Sequence, residues 1–127
     1  MATSLELQER NKVFILAVLN CCRQLPKTDE FRVITKQLIR CSTSVGANYR
    51  AACRSRSRAE FFAKLSIVVE EIDESEFWLD LIIGIDSSLF DKIEPLRIEA
   101  MELLKIYSKS RKTTGSSKSK NQKIIDQ

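Results

Sequence analysis

With 127 residues, 43% of them hydrophobic and 30% charged, the chain has the size and composition of one globular domain built on a single core. Its apolar runs fall well short of the roughly 18 to 20 residues that a membrane-spanning helix needs, so no membrane partner is expected. The chain has no histidine, which removes the commonest general base and metal ligand, and its net charge of +4 favours anionic partners.

The opening MATSLELQER carries Glu6 and Glu9 and none of the basic-then-apolar patterning of an export signal, so a cytoplasmic location is expected. Only three glycines and two prolines argue for helices over sheets, which need turn residues more often. Residues 5 to 25 put Leu7, Phe14, Val18, Cys21 and Leu25 on one helical face, and LPKTDEF then breaks the pattern. A second helix is expected from Thr28 or Asp29, both good N-caps, to about Ser55. It turns Phe31, Ile34, Leu38, Cys41, Val45 and Ala52 inward. Ser57 followed by Glu60 has the form of a capping box. It opens a third helix along Phe61, Leu65, Val68, Ile72, Leu79 and Ile83, ending near Gly84 or Asp86.

In the last helix Ile93, Leu96, Ala100, Leu103 and Tyr107 recur at helical spacing. Pro95 suits a first turn, so the expectation is a short turn over Ser88 to Ile93 and helix from Pro95 to Lys109. Beyond Tyr107, SKSRKTTGSSKSKNQKIIDQ has almost no apolar residues before Ile124 and Ile125. The fold class that follows is all-α: an antiparallel up-down four-helix bundle over residues 1–107, with a disordered basic C-terminal tail over residues 108–127.

Cys21, Cys22, Cys41 and Cys53 lie in helical apolar patterns, two of them adjacent. In a chain that is not exported they are expected to be buried, reduced thiols. A zinc site commonly uses Cys-x-x-Cys pairs or histidine, and this sequence has neither, so no metal and no cofactor are expected. Catalysis is not expected either, since there is no phosphate-cradling glycine loop and no nucleophile beside an obvious base.

Charge is distributed unevenly. Residues 31 to 69 hold eight basic residues against Glu60 alone, whereas residues 70 to 107 hold eleven acids against three bases. Eighteen residues complete five helical turns, so Arg32 aligns with Arg50 and Lys36 with Arg54, and Arg40 sits within about 80° of both pairs. Only the small Thr43 and Ala47 lie between them. The result is a basic stripe about 35 Å long, continued by Arg56 and Arg58, which suits either successive phosphates of RNA or DNA or a solvated face paired with the acidic third helix.

The third helix carries a second apolar line, Ile67, Trp78, Leu81 and Ile85, with Glu70 and Glu74 on the same side. Trp78 as an aromatic anchor, with two carboxylates to meet arginines, suits a subunit interface formed by Ile67, Glu70, Glu74, Trp78 and Leu81. Among aromatics open for stacking on bases, Tyr49 and Tyr107 are the candidates.

The segment QLIRCSTSVGANYRAACRSRSRAEFFAKLSIVVEEIDESEFWLDLI, residues 37 to 82, resembles the signature of a bacterial four-helix-bundle family. That family was first noticed in intervening sequences of 23S ribosomal RNA genes. Ser44 with Gly46, Ala47 and Asn48, Ser57 with Phe61, and Glu74 with Leu79 carry the likeness. Relatives include accessory proteins of diversity-generating retroelements, which assist a reverse transcriptase. The resemblance implies a homopentameric ring and, for some members, binding of RNA or DNA. Ala51 and Ala52 stand where many members have glutamate and glycine, and Glu70 and Glu71 where they have glycine and serine, which marks a distinct branch. The expected function is a non-enzymatic, homo-oligomeric nucleic-acid-binding accessory protein of a ribonucleoprotein or reverse transcriptase system. The alternative is a scaffold that binds protein without touching nucleic acid.

Overall fold

A computed structural model describes the backbone of residues 2–126 and the side chains of residues 2–115. Four α-helices follow one another: α1 (Ser4–Arg23), α2 (Asp29–Cys53), α3 (Arg58–Ile85) and α4 (Phe90–Asp126), with one 3₁₀ turn, Ser87–Leu89, ahead of α4. Each helix packs on its chain neighbours, and α4 closes the ring against α1, which is the arrangement of an up-down bundle. Among the described residues no helix is long and apolar enough to cross a membrane.

The helix starts are written in the sequence. The Thr3 hydroxyl accepts from the Glu6 amide while the Glu6 carboxylate accepts from the Thr3 amide, a full capping box. Thr28 caps α2 through the Phe31 amide, and Ser57 caps α3 through the Glu60 amide. The expected box at Ser57 is half made, because Glu60 does not return its side chain to the cap. Gly84 does not stop α3: its φ is not positive, and Asp86 ends the helix and caps the 3₁₀ turn through Ser88.

Two expectations are corrected at α4. The helix starts at Phe90, so Pro95 sits in its second turn, where it forfeits one backbone bond, rather than opening it. The helix also runs past Tyr107 without a break, so residues 108–115 are helical and not the beginning of a disordered tail. Arg111 fastens this extension, donating from Nε to Ser66 Oγ at 2.7 Å and lying 4.9 Å above the Phe62 ring. The rest of the expected tail, residues 116–127, lies outside the residues whose side chains are described.

The core follows the apolar stripes, with Phe14, Val18, Leu38, Val45, Leu65, Ile72, Leu79, Ile93 and Leu103 all essentially closed to solvent. Cys21, Cys22 and Cys41 are buried and Cys53 is half-buried, all four as free thiols. Burial pushes the Cys22 thiol up to about 11, and the buried Cys21 and Cys41 thiols shift the same way. Polar groups enter the core at one place above all, where the Tyr107 hydroxyl donates to Asn11 Oδ1 at 2.6 Å between α4 and α1. The Tyr49 ring packs against Tyr107 with centroids 4.9 Å apart.

Candidate nucleic-acid interface

The outer face of α2 carries the predicted basic stripe, and the fold divides it in two. In the first half Arg32 is held by Asp29 at 2.7 Å and also donates to the Lys27 carbonyl. Arg40 reaches across to α3, where it pairs with Glu71 at 3.1 Å and with Glu74, and its Nε donates to Gln37 Oε1 on its own helix. Lys36, between them, is exposed. In the second half Arg50, Arg54, Arg56 and Arg58 are all exposed and make no ion pair or hydrogen bond through their guanidinium groups among the described residues. Of the seven predicted residues, Arg32 and Arg40 are committed within the chain, whereas the α2–α3 end offers a row of uncommitted arginines.

Local structure concentrates positive charge at that end. Arg50 lies in the last turn of α2 and Arg54 is its C-cap, where the negative end of the helix dipole favours cations. Arg56 sits in the connecting turn, and Arg58 opens α3, whose positive dipole end adds to the field rather than offsetting it. Because Arg111 rests on Phe62 and Ser66 in the first turns of α3, the extension of α4 brings Lys109, Arg111 and Lys112 to the same end. Sequence reading assigns those charges to a free tail; the helix fixes them at the end of the bundle where α3 begins.

A groove of about 500 Å³ opens between α1 and this part of α2. Gly46 and Ala47 line its α2 side below Arg50 and Arg54, and Gln8, Glu9, Lys12, Ile15 and Leu16 line its α1 side. The missing side chain of Gly46 makes room for Ile15: a Cβ there would stand 2.6 Å from Ile15 Cδ1. A second depression continues over Ala47, Arg50, Ala51, Arg54, Arg56 and Glu60. Of the small residues noted in the sequence, Gly46 serves close packing, whereas the exposed Ala47 keeps the groove open.

The predicted subunit face of α3 divides by exposure. Ile67 and Leu81 are each 37% exposed and Glu70 also faces outward. Glu74 and Trp78, by contrast, are half-buried and engaged at home: Trp78 Nε1 donates to Glu74 Oε2 at 3.0 Å, and the arginine that meets Glu74 is the chain's own Arg40. The Trp78 N–H and the Arg40 guanidinium hold the Glu74 carboxyl below its usual range. Phe77, which sequence reading passed over, is 53% exposed and stands edge-on to Trp78 at 5.0 Å. Its signal was its place beside Trp78 on the turn that faces away from the core.

Two further expectations bear on chemistry. Tyr49 and Tyr107 are not open for stacking, since they are 6% and 0% exposed; Tyr107 continues the Ala100 and Leu103 face and Tyr49 the Val45 face. Cys41, Glu71 and Glu74 offer donor atoms within 4.8 Å of one another. Their set fits the ion pair better than a cation, because Arg40 already bridges both carboxylates and burial keeps the Cys41 thiol protonated.

A profile of the family described as 23S rRNA-intervening sequence protein matches residues 3–109. Among solved structures, the chain is similar to a protein of unknown function from the S23 ribosomal protein family of Bacteroides thetaiotaomicron VPI-5482. The two are 29% identical with a TM-score of 0.77, and the match covers 86% of this chain and 97% of that one. Comparison with curated proteins finds no match.

Proposed function

Because the chain belongs to the 23S rRNA-intervening sequence protein family, we propose that it binds RNA or DNA without catalysis, as a homo-oligomeric accessory protein of a ribonucleoprotein or reverse transcriptase system. The observation that carries this reading is the row of uncommitted arginines, Arg50, Arg54, Arg56 and Arg58, reinforced by Lys109 and Lys112 on the α4 extension. Cations without internal partners are those free to displace counterions from a phosphate backbone. Arg32 and Arg40 are satisfied within the chain and contribute less. The exposed apolar row of Ile67, Phe77 and Leu81 supports assembly, a ring of five copies being what the family resemblance implies. That same row favours the second reading, a scaffold that binds protein.

Binding to labelled RNA and DNA across salt concentrations tests the proposal, with the Arg50→Glu, Arg54→Glu, Arg58→Glu variant beside wild type. The variant should lose binding while keeping its helicity and its sedimentation coefficient. If instead the triple change breaks the assembly, these arginines are assembly residues. If it changes neither property, the nucleic-acid reading fails. Trp78→Lys, which places a charge in a half-buried aromatic site, should yield smaller species if α3 is the subunit face.

A further inference from the structure

The α1–α2 groove has a mixed lining. Its α2 side supplies Arg50 and Arg54, its α1 side supplies Gln8, the carboxylate of Glu9 and the ammonium of Lys12, and Ala47 and Ile15 add apolar surface. A pure phosphate site would have no use for the carboxylate or the apolar floor. We propose that the groove takes one unpaired nucleotide of a single strand, its phosphate on Arg50 and Arg54, its base over Ala47 and Ile15, and its edge toward Gln8 and Glu9. This rests on the nucleic-acid reading above and narrows it to single strands.

Three observations carry it. The space, about 500 Å³, falls within the roughly 300 to 1,000 Å³ of sites that enclose small ligands. The lining suits a nucleotide: Glu9 accepts from the amino or imino N–H of a base, Gln8 both donates and accepts, and Lys12 joins Arg50 and Arg54 as a cation for the phosphate. A duplex keeps its base faces stacked inside and would meet the arginines while leaving the floor and the α1 wall unused. The neighbouring depression shares Ala47, Arg50 and Arg54 with the groove and adds Arg56, so the next phosphate of a strand leaving the groove has a cation waiting. An acidic peptide could use the arginines, but it would bring carboxylates against Glu9 and has no base edge for that wall.

The test measures fluorescence anisotropy of labelled single-stranded RNA and DNA, and of hairpin duplexes with the same number of phosphates, on the full chain. Wild type should prefer single strands by about fivefold, the ratio expected from burying one base face on the apolar surface of Ala47 and Ile15. Ala47→Leu, a helix-compatible change at an exposed position, should fill the groove and abolish that preference while duplex binding persists. Arg50→Gln with Arg54→Gln should weaken both, and circular dichroism checks that each variant is folded. Equal affinity for single strands and duplexes, unmoved by Ala47→Leu, overturns the groove proposal and leaves the arginine surface standing. Binding that ignores Arg50 and Arg54, a competing acidic peptide of equal affinity, or no binding at all overturns the functional reading itself.

Discussion

Replacing Tyr107 by Phe removes one oxygen from a side chain that is 0% exposed and whose partner, Asn11, is 1% exposed. The ring, its contact with Tyr49 and the helix propensity of the site are nearly unchanged, so the perturbation is the 2.6 Å bond to Asn11 Oδ1. Asn11 Nδ2 already has no hydrogen-bond partner among the described residues, so the substitution leaves the whole amide unpaired in the core. An unsatisfied buried group costs about 1–3 kcal/mol, which for a domain of this size lowers the melting temperature by about 4–12 °C. Calorimetry and urea unfolding with an unchanged m-value would measure it. Adding Asn11→Leu removes the orphaned amide and should recover most of the loss, a non-additivity that separates polar satisfaction from packing. A Tyr107→Phe protein within about 0.5 kcal/mol of wild type would refute the account, since that is the scatter of ordinary surface changes.

Gly84 lies inside α3 without a positive φ, and a methyl group added at its Cα would meet nothing within 4 Å, so Gly84→Ala should stabilise by about 0.8–1 kcal/mol, seen as a raised denaturation midpoint. Glu74 is held below its usual value near 4.5, first by the Trp78 N–H and then by Arg40. A depressed carboxyl contributes stability that is whole above that usual value and is lost as pH falls through the lower folded one. Trp78 emission should therefore change on acidification below pH 4.5, and Glu74→Gln should flatten that part of the stability profile.

The fold could be read because its signals are local. Thr28 and Ser57 mark helix starts through bonds that span three residues, and each apolar stripe needs only its own helix. What could not be read depends on register between helices. Nothing in the sequence says that Arg40 stands opposite Glu71 and Glu74, since that follows from how antiparallel α2 and α3 align across the Cys41–Ser75 contact. The groove is of the same kind, because it exists only once Ile15 is seated against Gly46. Tyr107 was legible from its angular match to Leu103 and Ala100, which puts its ring in the core and not where bases could reach it. The α4 extension misled because its anchor is a cation on Phe62 and a serine hydroxyl, which no apolar period records.

That anchored extension has a kinetic consequence. With Lys109, Arg111 and Lys112 at the same end of the bundle as Arg54, Arg56 and Arg58, and with Asp29, Glu30, Asp86 and Asp91 standing among Arg23, Lys27, Arg32 and Lys92 at the other, positive charge is concentrated at one end of the molecule's long axis. Near a polyanion such a body feels a torque before it makes contact. It would arrive arginine end first over a wide range of starting orientations, so added salt should slow its capture more than it hastens its release.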